Sequence, residues 1–115
     1  MRTVSLEVRT LNDALREFGD AWKTGKGRGD HRIGFETPEL LWKVLTQKRW
    51  EILKSMADAG PLSIREVARR GGRDVKAVHA DVRGLVNAGI VERTDDGKVV
   101  FPYDAIRVDF TLKAA

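Results

Sequence analysis

The stretch "ARRGGRDVKAVHADVR" (residues 68–83) joins two helix-forming segments through a pair of glycines set among arginines. Two structures fit such a stretch: a glycine-rich loop that holds a phosphate, or the bend of a helix-turn-helix. A phosphate-binding loop follows a buried strand, whereas helix-forming sequence precedes Gly71. Glycine also accepts a positive φ without steric cost, which suits a tight bend. The stretch therefore predicts a helix-turn-helix.

The residues on both sides of this bend carry the signals of helix ends. Ser63 and Glu66 have the spacing of a capping box, and Leu62 and Val67 that of the accompanying hydrophobic staple. Asp74 is placed to cap the second helix, and Gly89 stands where a helix end favours a left-handed residue. The apolar residues of the second helix fall on one stripe; they are Val75, Val78, Val82, Leu85 and Val86.

A β-hairpin is predicted directly after the second helix. The runs "IVERT" (90–94) and "KVVFP" (98–102) are joined by Asp95-Asp96-Gly97, and an Asp-Gly turn between such runs is typical of a hairpin. Upstream, Thr46 is placed to cap a helix that runs to Ala59 and stops at Gly60-Pro61. Three helices followed by a hairpin predict an α+β fold of the winged helix-turn-helix class.

The outer face of the second helix is the candidate DNA-binding surface. Steps of 100° per residue turn Lys76, Ala80 and Arg83 away from the apolar stripe, and such side chains can reach phosphates and base edges. The candidate DNA-binding residues are Arg65, Arg73, Lys76, His79, Ala80, Arg83, Asn87, Arg93 and Lys98. An ordinary solvated basic face is the alternative. Gly84, also turned outward, indicates a packing or approach constraint.

One acidic residue, Asp81, interrupts this basic region. A carboxylate there should not face a phosphate, so we expect it to form an ion pair with an arginine of the first helix. Arg93 and Lys98 flank the hairpin turn, from which basic side chains can enter the minor groove or bind phosphate.

The two ends of the chain predict strands. Val4, Leu6 and Val8 alternate with polar residues, a period of two that indicates one buried face, and residues 106–112 show the same alternation. We expect these strands to share a sheet, together with a short strand at 32–36. A helix is predicted from Thr10, with Leu11, Leu15, Phe18 and Trp22 on one stripe. A further helix is predicted to begin after Thr37, with Leu40, Leu41, Val44 and Leu45 on its apolar face.

The predicted sheet and the helix packed on it are interpreted as a homodimer interface. Its candidate residues are Val4, Leu6, Val8, Phe18, Trp22, Ile106, Val108 and Phe110. The alternative is pairing of these strands within a monomer. The expected organisation is an N-terminal extension (1–45), a winged helix-turn-helix (46–103) and a C-terminal strand (104–115) that packs with the N-terminal region.

The composition argues against enzymatic catalysis and metal binding. The 115 residues carry a net charge of +4, which is consistent with an anionic partner such as double-stranded DNA. There is no cysteine, and two histidines leave little for general-base catalysis or metal binding, so we expect no enzyme, no cofactor and no metal. No apolar run is long enough to span a membrane, and no signal-peptide pattern begins the chain. The expected location is the cytoplasm.

The segment "PLSIREVARRGGRDVKAVHADVRGLVNAGIVERTDDGKVVFPYDAIRVDFTL" (61–112) resembles a family of small prokaryotic predicted transcriptional regulators with a MarR-like winged helix. The resemblance implies a DNA-binding repressor that could serve as the antitoxin of a small toxin protein. A protein-interaction module that neutralises a toxin with little DNA binding is the alternative. The chain departs from the family where such turns commonly place a leucine, since Gly71 stands there.

Overall fold

The structure, a computed structural model, describes residues 2–9, 12, 15, 16 and 31–112. Over these residues the chain has an α+β fold that combines a small parallel sheet, a group of helices and a short hairpin. In chain order the elements are β1 (Thr3–Val8), β2 (His31–Phe35), α1 (Pro38–Val44), α2 (Gln47–Met56), α3 (Ile64–Gly71), α4 (Val75–Asn87), β3 (Glu92–Arg93), β4 (Val99–Val100) and β5 (Ala105–Asp109).

The first sheet brings the two ends of the chain together. Its strand order is β2-β1-β5, and both pairings are parallel. Leu6 lies opposite Ile33 on one side and opposite Val108 on the other. The prediction that the terminal strands share a sheet with the short strand near residue 33 is confirmed. The pairing is formed within a single chain.

The burial of β1 differs from the alternating pattern that its sequence predicts. Val4 and Leu6 are fully buried, but Ser5 and Glu7 on the other face are also buried. Arg32 of β2 donates from Nε to the Glu7 Oε1 at 2.9 Å, which compensates the buried carboxylate. Val4 and Leu6 were predicted at a dimer interface, and this prediction is wrong because a central strand buries them in the chain's own core.

Four side-chain caps begin the helices at the predicted positions. Thr37, Thr46, Ser63 and Asp74 each accept a hydrogen bond from the backbone N–H three residues on. The capping box at Ser63 forms only in half, because the Glu66 carboxylate pairs with arginines instead. Helix α2 ends at Met56 rather than near residue 59, since the backbone is extended at Ala57 and left-handed at Asp58.

The core lies where α2, α3 and α4 meet and continues onto one face of the sheet. It is made of apolar side chains from α1, α2, α3 and α4 together with residues of the hairpin and of β1; the fully buried ones include Leu6, Leu41, Met56, Val67, Val82, Leu85, Ile90 and Val99. Leu40 and Val75 were predicted on apolar faces but are 42% and 44% exposed. Both lie in the first turn of a helix, outside the part that packs.

The hairpin after α4 is present but shorter than its sequence predicts. Glu92 pairs with Val100 and Arg93 with Val99, and Gly97 at the turn has φ 82°. Leu62, just before α3, exchanges two backbone hydrogen bonds of 2.8 Å with Val99. The hairpin is thereby fixed to the start of the helix pair.

Tyr103 joins the hairpin to the parallel sheet. Its ring lies against His31 of β2, with centroids 5.8 Å apart, and the Arg2 guanidinium stands 5.1 Å from its centre. Burial and nearby Glu92 raise the pKa of Tyr103, while Arg2 opposes the shift. Asp104 accepts from the Arg2 backbone N–H at 2.7 Å. These contacts hold the C-terminal strand against β1.

The helix predicted from Thr10, including interface candidates Phe18 and Trp22, lies almost wholly outside the described residues. Asn12, Leu15 and Arg16 are described and are helical, and Leu15 is 58% exposed.

The glycine pair of the bend provides a test of the fold. Gly72 has φ 62°, so we expect Gly72→Ala to destabilise the protein by about 1–2 kcal/mol. Gly71 is helical, with only Arg73 Cγ near an added Cβ at 4.0 Å, so Gly71→Ala should be neutral or stabilise by up to about 1 kcal/mol. Urea unfolding measures both variants. Equal effects of the same sign would contradict the assigned bend.

Candidate nucleic-acid interface

Backbone hydrogen bonds close the end of α3 at the bend. Gly72 and Arg73 donate their N–H groups to the carbonyls of Arg69 and Ala68, at 3.2 and 3.0 Å. The left-handed Gly72 thereby satisfies the carbonyls that the end of α3 leaves free. Asp74 then caps α4 by accepting from the Ala77 N–H at 3.2 Å. Three residues therefore separate two well-capped helices.

Helix α4 presents two different faces. Val78, Val82 and Leu85 are buried against α2 and α3. The residues of the opposite face are exposed, and all of the predicted DNA-contacting residues of this helix are among them; they are Lys76, His79, Ala80, Arg83 and Asn87. The structure therefore places these five predicted residues on one side of a helix.

The free positive charges of this region lie on that face and beside it. Lys76 and Arg83 of α4, Arg65 of α3 and Arg93 of β3 are exposed. None of the four has a carboxylate within 4.0 Å in the described part of the chain. An anionic ligand could approach these cations without displacing an internal ion pair.

The acidic residue of α4 points toward the protein. Asp81 accepts from Arg49 Nε at 3.2 Å through one oxygen and from Arg73 Nη2 at 3.0 Å through the other. We call Arg49, Asp81 and Arg73 the Asp81 cluster. Its side chains are about one-fifth exposed, so the ion pairs are screened less than surface pairs. The ion pair expected between Asp81 and an arginine of the helix before the bend, α3, is not formed; its partners among the described residues are Arg49 of α2 and Arg73 of the bend itself.

Arg49 extends this cluster to a fourth element. Its Nη1 donates to the carbonyls of Val44 and Lys43, at 3.0 and 3.4 Å, at the end of α1. One side chain therefore joins α1, α2 and α4. Charged donors to carbonyls of this kind stabilise a helix C-terminus.

Two predicted assignments are corrected by the Asp81 cluster. Gly84 does not face outward, because an added Cβ would stand 2.6 Å from Arg49 Cζ and 2.7 Å from its Nη1. The residue is small because a guanidinium lies against it, so the packing constraint is the correct one. Arg73 was predicted as a free DNA contact, but it is bound to Asp81, and its Nη1 is buried without a partner in the described residues.

The tip of the hairpin has a mixed charge. Arg93 and Lys98 are exposed as predicted, but Lys98 Nζ lies 4.0 Å from the Asp96 carboxylate. The Thr94 hydroxyl donates to Asp96 and, with Lys98 nearby, lowers the pKa of that carboxyl. Arg93 is therefore the stronger candidate for contact with an anion.

A groove that the sequence did not predict lies between α2 and the bend. It has a volume of about 720 Å³, and its lining includes Lys48, Lys54, Arg70 and Arg73. Glu51, also in the lining, lies 3.7 Å from Lys54 Nζ. Lys48 and Lys54 come from α2, six residues apart. Only the folded packing of α2 against α3 brings them beside Arg70, so no local sequence signal indicated this groove.

Comparison with known proteins identifies the family but no function. The sequence profile of the HVO_A0114 family matches residues 44–108, more than half of the 115-residue chain. The chain belongs to the HVO_A0114 family. No curated protein and no solved structure matches it. The matched segment contains the Asp81 cluster, α4 and the hairpin.

The described residues give no sign of a metal centre or a membrane span. They contain no group of three or more histidine, aspartate or glutamate side chains placed to hold a metal ion. None of the helices in this part of the chain is long and apolar enough to cross a bilayer.

The contact between Gly84 and Arg49 can be tested by a double-mutant cycle. We expect Gly84→Ala alone to destabilise the protein, because the new Cβ would push Arg49 away from Asp81. In the Arg49→Ala background the same substitution should stabilise by up to about 1 kcal/mol, the ordinary helix preference of alanine over glycine. Urea unfolding of the four proteins measures this. The same sign in both backgrounds would show that Arg49 does not oppose a side chain at residue 84.

Glu66 provides a test by pH. Hydrogen bonds from Arg69 and Arg70 lower its pKa from 4.5 to about 2. A lowered pKa means that the carboxylate stabilises the fold above pH 4.5 and that this contribution is lost as the pH falls toward 2. NMR titration of the Glu66 side chain should give a midpoint near 2, which moves up toward 4.5 in Arg69→Ala/Arg70→Ala. An unshifted midpoint in the wild-type protein would contradict these contacts.

Proposed function

We propose that the protein is a sequence-specific DNA-binding regulator and that its described residues 46–103 form a winged helix-turn-helix. In this interpretation α2, α3 and α4 are the three core helices, α4 is the recognition helix and the β3–β4 hairpin is the wing. Support comes from the three-residue bend, from the hairpin directly after α4 and from the pairing of Leu62 with Val99.

The observation that carries the proposal is the separation of charge on α4. Asp81 is turned inward and bound twice, while Lys76 and Arg83 remain exposed without carboxylate partners in the described part of the chain. Ala80 lies on the same face and leaves room for close approach. A helix with exposed cations and small residues on one face suits the major groove, where arginine can bind guanine by two hydrogen bonds.

Other cations would complete the contact with the DNA backbone. Arg65 at the start of α3 is placed for a phosphate, and Arg93 of the hairpin for a phosphate or the minor groove. Contacts of this kind position a protein on the duplex without reading sequence. The base-reading role therefore falls to α4.

Several further proposals are of lower rank. The repressor and antitoxin roles rest on the family resemblance and stay predictions, as do the cytoplasmic location and the toxin partner. A homodimer is proposed as well, because two recognition helices about 34 Å apart would fit a palindromic site. No described constellation of side chains suggests catalysis.

Removal of Arg83 tests the proposal directly. The probe is a duplex enriched by the wild-type protein from random-sequence DNA, titrated by fluorescence anisotropy at several salt concentrations. Arg83→Ala should weaken binding by about 1–3 kcal/mol if Arg83 contacts a base. If it contacts a phosphate, the salt dependence should fall by about one unit.

Lys43→Ala is the matched control, since Lys43 is an exposed cation at the end of α1. It removes the same charge from a different part of the surface and should leave the affinity almost unchanged. Failure to enrich any duplex, together with no binding at low salt, would contradict the proposed function. Equal losses in the two variants would remove Arg83 from the site.

A further inference from the structure

Strand β5 has one unpaired edge among the described residues. It pairs with β1 on one side, and the strand order β2-β1-β5 places no described strand on the other. The Ala105 N–H donates to the Arg2 carbonyl, so Ala105 directs its backbone toward β1. Because this direction alternates along a parallel strand, Ile106 and Val108 direct their N–H and C=O groups outward. An exposed edge of this kind is a template for another strand.

Strand β5 has apolar side chains on one face and charged side chains on the other. Ile106 and Val108 lie on the face that continues the core, opposite Val4 and Leu6 of β1, and Phe110 follows the end of β5 by one residue. Val108 and Phe110 are 38% and 37% exposed. Arg107 and Asp109 lie on the opposite face, both largely exposed, with Arg107 Nη2 3.6 Å from Asp109 Oδ2. The strand therefore carries an apolar face, and on its other face a cation and an anion two residues apart.

We propose that two copies of the chain pair through β5, antiparallel, about a two-fold axis at Val108. In this register Val108 lies opposite the partner's Val108 as a hydrogen-bonded pair. Arg107 then lies opposite the partner's Asp109, twice by symmetry, and Ile106 lies opposite the partner's Phe110. Axes at the neighbouring residues would place arginine against arginine or aspartate against aspartate, which is destabilising. Among the axes at Arg107, Val108 and Asp109, the charges favour the one at Val108.

An apolar cavity next to β5 fits this arrangement. It has a volume of about 110 Å³ and is lined by Trp50, Leu53, Phe101 and Ile106 among others. The register brings the partner's Phe110 opposite Ile106, at the mouth of this cavity. Phe110 is itself supported by Trp42, whose ring meets it edge to face at 5.7 Å. Two exposed tryptophans, Trp42 and Trp50, would thereby be partly covered in the dimer.

The result is a six-stranded sheet in which β5 of each copy lies at the centre. This inference does not depend on DNA binding. The proposed interface is the accessible edge strand β5, whereas the predicted interface residues Val4 and Leu6 are buried within one chain.

The test is to exchange the charges of Arg107 and Asp109. Dimerisation is measured by sedimentation equilibrium on the full chain, over concentrations from about 1 to about 200 µM. Asp109→Arg places arginine opposite arginine and should weaken dimerisation about tenfold or more. The double variant Arg107→Asp/Asp109→Arg again places an acid opposite an arginine, with the two positions exchanged, and should restore dimerisation. Val108→Lys places two cations on the axis and should give a monomer. Glu36→Arg, an acid-to-arginine change at the end of β2, should have little effect.

Thermal unfolding confirms that each variant is folded, so loss of the dimer is distinguished from loss of the fold. A wild-type protein that stays monomeric at about 200 µM overturns the proposal. So does a dimer that Val108→Lys leaves intact, which would locate the interface elsewhere. Failure of the charge-exchanged variant to recover would exclude the proposed register.

Discussion

The arrangement of the helices depends on one partly buried carboxylate. Asp81 binds Arg49 of α2 and Arg73 of the bend at once, and Arg49 also binds the end of α1. Removing that carboxylate would leave two guanidinium groups facing each other with little access to water, a costly state for partly buried charges. The same interaction turns the acid of α4 inward, so that the outer face of the helix remains cationic. Stability and the proposed function therefore share one residue.

A second set of contacts holds this helical part against the parallel sheet. Tyr103 lies between Phe101, His31 and Arg2, so a single ring contacts the hairpin end, β2 and the residue before β1. Because β1 is the central strand, its buried residues Val4 and Leu6 belong to the same core as the helices. The outer strand β5 is then the part of the sheet that can meet another molecule.

Local signals predicted the elements well and the contacts between them poorly. The caps at Thr46, Ser63 and Asp74 depend on neighbouring residues alone, so the helix starts were correct. Burial of Glu7 and the inward position of Gly84 depend on elements distant in sequence. Periodicity therefore gave the wrong exposure for Glu7 and the wrong face for Gly84. Exposure of α4 was predictable because its apolar stripe is regular. The ion pair between Arg73 and Asp81 could not be predicted, because the charge of an arginine does not show which carboxylate it binds.

The central claim is that the outer face of α4 binds DNA. The most direct measurement is an NMR titration of the ¹⁵N-labelled protein with duplex DNA, in which each backbone amide reports its own environment. The account predicts the largest shifts for Lys76, His79, Ala80 and Arg83, with smaller ones at the hairpin. Shifts confined to the parallel sheet and α1, with the amides of α4 unchanged at saturating DNA, would contradict it.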